Sequence, residues 1–268
     1  MSIMEKAIRG ANIPLDHVYV IYGKPGSGKT TLASTFPKSK EKPALYIDVL
    51  EGGGGSIEKK DLENMLYLPI ETYEEFDEAM TALEAGFFID STGKRVDVLN
   101  LSSVIIDSLT QLEYMLKVYL MIKKKKTEMN QNLWGDVNNN EEFLFNLLRR
   151  IHVKTGAHVV GICHERELKD DENAEFNRRI PKLTPTASIS LCAKATYVWY
   201  CAIEKEERID KATSKVTTEH VFATYIAAHP YLESKIQKPR SFTVPSRVTD
   251  LTYPIFKEKV LDKIKGVV

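Results

Sequence analysis

The run Gly23-Lys24-Pro25-Gly26-Ser27-Gly28-Lys29-Thr30 fits the pattern GxxxxGK[ST] without exception, and Thr31 follows it. Glycines at these places let successive backbone N–H groups turn inward and form a cradle for phosphate oxygens. A helix starting behind the loop adds partial positive charge from its N-terminus. In such a cradle Lys29 reaches the β- and γ-phosphates, and the Thr30 hydroxyl serves a Mg²⁺ ion. The expected ligand is therefore a nucleoside triphosphate with Mg²⁺, held by residues 23–31. A second oxygen ligand for the metal belongs at the end of another buried strand, where Ser103-Val104-Ile105-Ile106-Asp107 supplies a carboxylate. Asp107 and Ser108 also suit the N-cap of the helix that follows, so two readings of this aspartate stand side by side.

These groups need a scaffold that brings strand ends together. Near-continuous apolar runs lie at 17–22, 44–50, 65–68, 103–106, 158–163, 196–200 and 221–226. Such runs suit strands covered on both faces of a mainly parallel sheet. Thr72 with Glu75 makes a capping box for a helix through Ala85, and residues 109–126 and 141–153 carry apolar residues at helical spacing. The last two strands are joined by the polar stretch 204–220, which predicts a hairpin at one edge of the sheet. The order of elements predicts one α/β domain over residues 1–268, a twisted parallel sheet flanked by helices. Its core runs from about 14 to 230; the tail 231–268 wraps it and ends in a short helix near 256–264.

Composition narrows the classes. Lys plus Arg and Asp plus Glu are both 37, so bulk positive charge does not drive any nucleic-acid binding. No apolar run approaches the roughly 18 residues of a membrane span, and the N-terminus lacks the apolar stretch of a secretion signal. Cys163, Cys192 and Cys201 are odd in number and lack metal-ligand spacing, which points to reduced thiols and a cytoplasmic location. The histidines show no HExxH spacing, so zinc hydrolase chemistry is not supported.

The strand Leu45-Tyr46-Ile47-Asp48 with its end at Glu51-Gly52-Gly53 adds a further acid. Together with the 22–30 loop, Val104-Ile105-Ile106-Asp107-Ser108, Trp134-Gly135-Asp136-Val137 and Cys163-His164-Glu165-Arg166, it resembles the RecA-like ATPases. The resemblance is closer to the phage-encoded RecA-like nucleotide-binding proteins, a group that includes single-strand annealing recombinases. It covers the chain from about residue 17 to the tail and is strongest over the first 165 residues. It implies a RecA-like P-loop NTPase fold, ATP as the nucleotide, and a slow, DNA-stimulated ATPase in the cytoplasm, the host's if the chain is phage-encoded. It also implies that Glu51 orients or deprotonates the attacking water. Family members often carry that acid closer to the strand aspartate, which leaves Asp48 as a competitor. His164 takes the place of the polar group that senses the γ-phosphate, with Arg166 at the same edge.

The resemblance further implies a DNA-facing loop after the sensor strand, here residues 165–182, in which Phe176 stands near Arg178, Arg179 and Lys182. An aromatic beside cations is the minimal chemistry for single-stranded DNA, though a solvated loop reads the same way. Lys123, Lys124, Lys125 and Lys126 form the densest basic run, suited either to a DNA channel or to complementing a helix dipole. Lys238 and Arg240 fit the Lys-x-Arg pair that reaches a neighbour's γ-phosphate in ring or filament assemblies, and catalysis then depends on a homo-oligomer. The function implied is binding of single-stranded DNA, with annealing or strand pairing in phage-type recombination and cooperation with a single-stranded DNA-binding protein. Two alternatives remain open from the residues: a P-loop nucleotide or small-molecule kinase, and a regulatory ATPase acting on a protein partner.

Overall fold

The computed structural model describes residues 17–168, 178–209, 216–229, 231–236 and 243–265. In chain order the elements begin β1 (Val18–Gly23), α1 (Lys29–Ser34), β2 (Ala44–Val49), α2 (Lys59–Leu62), β3 (Met65–Ile70) and α3 (Tyr73–Ala85). A small antiparallel pair follows, β4 (Phe87–Ile89) with β5 (Arg95–Asp97), then β6 (Ser103–Asp107), α4 (Leu109–Lys123) and α5 (Gln131–Thr155). The second half holds β7 (His158–Leu168), β8 (Arg178–Pro181), α6 (Pro185–Lys194), β9 (Tyr197–Ile209) and β10 (Val216–Tyr225). The tail contributes β11 (Lys235–Ile236), β12 (Arg247–Thr249), α7 (Tyr253–Phe256) and α8 (Asp262–Lys265).

The main sheet has the order β12-β10-β9-β1-β7-β6-β2-β3, with β11 against β9 and β8 against β7. From β9 through β1, β7, β6 and β2 to β3 every pairing is parallel. All five thus end on the same edge of the sheet as β1, where ligands of open α/β sheets bind. Alternation along β1 divides the interior in two. Val18, Val20 and Tyr22 join the core under α3, α4, α5 and α6, whereas Tyr19 and Ile21 join the one under α1 and α7. Both faces are covered, which is why these strands read as unbroken apolar runs.

The predicted helix over 72–85 is present with its full capping box: Glu75 N donates to Thr72 Oγ1 at 3.3 Å, and Thr72 N donates to Glu75 Oε2. Other boundaries moved. α4 stops at Lys123 because Lys125 turns to φ 51, and Lys126 donates its N–H back to Met121. α5 starts ten residues before the expected Glu141, where the Asn130 side chain accepts from Leu133 N at 3.0 Å. Its polar opening misled the periodicity, since Leu133 and Val137 are buried between Asn-rich stretches. β7 does not give way at residue 165 to the loop that the resemblance implies over 165–182. It pairs with β1 up to His164 and then continues to Leu168 against β8 alone.

β9 and β10 form the expected hairpin and run well into the polar stretch between them; the tail strand β12 lies outside it. Tyr253, Phe256, Val260 and Leu261 of the tail pack on the core of Tyr19, Phe36 and Trp199. Cys163, Cys192 and Cys201 are buried and free. Among the described residues no helix is long and apolar enough to cross a membrane.

Candidate active site

The loop after β1 is shaped by two different demands on glycine. At Gly23 a Cβ would sit 2.1 Å from the Cys201 carbonyl oxygen of β9, so the first glycine permits strand pairing. Gly26 and Gly28 have φ of 77 and 84, the left-handed region that non-glycine residues avoid. Within the turn Ser27 N donates to Lys24 O at 3.2 Å, and Lys29 Nζ donates to the same carbonyl at 2.7 Å. Lys29 is buried, and that burial lowers its pKa against the pull of the nearby thiols and carboxylates. Ser27 Oγ is buried with no hydrogen-bond partner among the described residues. A buried hydroxyl and a desolvated ammonium at one turn are both groups that a phosphate oxygen would satisfy.

Thr30 Oγ1 donates to Asp107 Oδ2 at 2.6 Å, and Tyr46 OH donates to the same oxygen at 2.7 Å. The N-cap of α4 is Ser108, whose hydroxyl accepts from Gln111 N at 3.2 Å. That leaves the Asp107 carboxylate to face Thr30. Burial raises its pKa, and the hydrogen bonds from Thr30 and Tyr46 oppose the shift. A hydroxyl and a carboxylate already in contact are the hard oxygen donors that suit Mg²⁺, and the ion would remove the burial cost carried by Asp107. The donor set fits the metal. Gly53 keeps the space open, because a Cβ there would lie 2.7 Å from Tyr46 Oη and 3.0 Å from Asp107 Oδ2.

Glu51 stands across the same cavity. Its Oε1 accepts from Ser108 Oγ at 2.7 Å and lies 2.9 Å from His164 Nε2. The His164 hydrogen bond holds the Glu51 carboxyl below its usual range; burial works against this and the Ser108 hydrogen bond adds to it. Asp48 is placed differently. It is buried at the end of β2, where Oδ1 accepts from Glu51 N at 3.1 Å and Oδ2 accepts from Tyr67 OH. The aspartate thus fixes the turn that presents Glu51 and does not line the cavity. That cavity, about 350 Å³, is lined by Pro25, Gly26, Lys29, Thr30, Thr31, Glu51, Asp107 and His164, and by Phe222 of β10.

Tyr46, Tyr67, Ser108 and Phe222 escaped the sequence reading. Ser108 was visible only as a cap, and the two tyrosines looked like ordinary members of apolar strands. Phe222 arrives from a distant strand, and no local signal marks it. Phe176, Lys238 and Arg240 lie outside the described residues. Neither the lysines 123–126 nor Arg178, Arg179 and Lys182 line the cavity. Lys123 Nζ donates to Tyr119 OH at 2.9 Å and Lys124 pairs with Asp136, while Lys125 and Lys126 are exposed. Arg178 pairs with Glu233, and Arg179 donates to Tyr200 OH at 2.6 Å. Lys182 is exposed, and its backbone N–H donates to the His164 carbonyl at 2.8 Å.

Residues 16–225 match the family model described as an AAA domain, well over half of the chain. None of the curated proteins matches the sequence.

Proposed function

Because the chain belongs to the AAA-domain family of P-loop ATPases, we propose that it hydrolyses ATP at the 23–31 loop and couples this to single-stranded DNA. The observation that carries the hydrolytic part is the Glu51 carboxylate, held by Ser108 and His164 across the cavity from Lys29 and the Thr30–Asp107 pair. In this reading the loop N–H groups and Lys29 bind the phosphates, with Lys29 exchanging the Lys24 carbonyl for a phosphate oxygen. Thr30 and Asp107 hold Mg²⁺, which when bound neutralises charge on the phosphate oxygens. Glu51 accepts a hydrogen bond from a water and points it at the terminal phosphorus. With its pKa held low it stays ionised at neutral pH, and so orients water more than it stores a proton. His164 fixes the Glu51 oxygen and, from the last β7 residue paired with β1, meets any change at the terminal phosphate.

The partner and the biological task rest on the resemblance to phage RecA-like proteins together with local chemistry. β7 leaves the nucleotide cavity at His164 and runs directly into its pairing with β8, next to Arg178, Arg179 and Lys182. A change at His164 therefore has a short covalent path to a basic segment. We read the protein as a homo-oligomeric ATPase of the annealing-recombinase type, with Lys238 and Arg240 acting on a neighbour's nucleotide. The test is ATP turnover with and without single-stranded DNA, alongside mass measurement of the assembled particle. Stimulation by DNA together with assembly is expected. Turnover indifferent to DNA, or equally fast in a variant forced to be monomeric, would remove the DNA or the interface part.

A further inference from the structure

A second cavity, about 660 Å³, opens between the first turns of α4, the start of α5 and the segment after β8. It lies within the size range of ordinary ligand sites. Arg166 of β7 lines it, and the Nε and Nη2 atoms of this guanidinium are buried without a hydrogen-bond partner among the described residues. These two nitrogens form the side-on fork of an arginine, the edge that takes two oxygens of a phosphate or carboxylate in parallel. A guanidinium edge left unsatisfied is costly, and an anion is what satisfies it.

The charge balance of the cavity points the same way. Its acid, Glu113, is already engaged, accepting from Lys117 Nζ and from Thr184 N at 2.6 Å. Arg166 and the exposed Lys182 are left as cations facing a ligand. Two aromatic rings complete the lining. Trp134 is 39% exposed and Tyr114 60% exposed, and Lys117 Nζ lies 4.8 Å from the Trp134 ring centroid. Cations beside half-open aromatic rings are the chemistry that binds a phosphodiester and stacks its base.

Resting on the proposed function and deepening it, we propose that this cavity receives one nucleotide of a single-stranded DNA. Its phosphate sits on Arg166 and Lys182, and its base lies against Trp134. The cavity is wired to the ATP site directly by Lys182 N, which donates to the His164 carbonyl at 2.8 Å, and also through one hydroxyl. Thr110 Oγ1 accepts from His164 N at 3.0 Å and donates to the Lys182 carbonyl at 3.0 Å, and Thr110 itself lines the cavity. A DNA phosphate drawing on Lys182 therefore acts one hydrogen bond away from the backbone of the residue that holds Glu51.

Tryptophan fluorescence tests this on the full chain with ATP and Mg²⁺. Trp199 is fully buried, so quenching by an added ligand reports Trp134. Oligothymidylate is expected to quench the wild-type protein, and thymidine monophosphate at equal phosphate concentration is not. Arg166→Gln and Trp134→Leu should each weaken oligothymidylate binding by about 5- to 100-fold, read by anisotropy of a labelled strand. Arg166→Gln should also lower the salt slope by about 0.7. Melting temperatures check the fold of both variants, and quenching of the wild type stands without them. DNA that binds without quenching, or with affinity unchanged in both variants, overturns the cavity assignment and leaves the wider function intact. Equal quenching by the monophosphate overturns the DNA assignment in favour of a free nucleotide. A wild-type protein that binds no DNA overturns both readings.

Discussion

Glu51 Oε1 and His164 Nε2 lie 2.9 Å apart although 113 residues separate them in the chain. The contact exists because β2 and β7 flank β6 in one parallel sheet and end on the same edge. His164→Ala deletes the hydrogen bond that keeps the Glu51 pKa down, so that pKa rises toward the ordinary carboxylate value. The acid limb of the turnover–pH profile should therefore shift to higher pH. A limb that stays in place would mean His164 does not tune Glu51.

Glu51→Gln should lower turnover by about 10²- to 10⁴-fold while ATP binding changes little. Asp48→Asn should act through position, because Asp48 carries the Glu51 backbone and Tyr67 and does not line the cavity. Its expected signature is a smaller loss of turnover accompanied by a lower melting temperature. Steady-state kinetics and thermal unfolding on both variants decide the matter. Full activity in Glu51→Gln with inactivity in Asp48→Asn would reverse the two roles.

Thr30→Val removes a hard oxygen donor from the pair that meets at 2.6 Å, and Asp107→Asn replaces the charged carboxylate with a neutral carboxamide. The Mg²⁺ concentration needed for half-maximal ATP binding should rise by about 10- to 100-fold, the worth of one hydrogen bond or ligand contact to a charged group. A magnesium titration of ATP binding checks it, and an unchanged midpoint would move the metal elsewhere.

Gly23→Ala and Gly26→Ala separate architecture from phosphate binding within one loop. The first drives a Cβ into the Cys201 carbonyl, a backbone atom that moves only if the β1–β9 pairing moves. It should cost stability at or above the upper end of the roughly 1–3 kcal/mol seen for overpacking. At Gly26 a Cβ meets nothing within 4 Å, and its φ of 77 leaves a strain of roughly 1–2 kcal/mol. Chemical denaturation should rank Gly23→Ala as the more damaging of the two.

Glu141, buried in α5, lies beside the buried carboxyl group of Glu113, and Thr184 OH lies 3.1 Å from its carboxylate. Burial, with Glu113 adding to it, pushes its pKa from 4.5 up to about 9. The folded state thus keeps a proton that the unfolded state loses, and stability falls as pH rises from 4.5 toward 9. Glu141→Gln keeps the neutral shape without the titration. Its melting temperature should gain on the wild type as pH rises through that window, by about 2–4 °C for each kcal/mol recovered. Parallel melting curves at every pH would show that Glu141 ionises normally.

The phosphate loop, the Asp107 strand end and the capping box at Thr72 were decided by the sequence alone. Each is a local pattern whose geometry is set by residues close together in the chain, such as the glycines at 26 and 28 or the Thr72–Glu75 pair. So was the sheet's parallel character, because strands buried on both faces must be apolar throughout. The roles of Asp48 and Glu51 were not decided there: both are acids at the end of β2, and only the fold shows one carrying a turn and the other facing Lys29 across the cavity. The Arg166 cavity is likewise tertiary, since α4, α5, β7 and the segment after β8 meet only once the strands are ordered. Local spacing fixes backbone shape within a few residues, whereas hydrogen-bond partners more than a hundred residues away are chosen by which strands lie side by side.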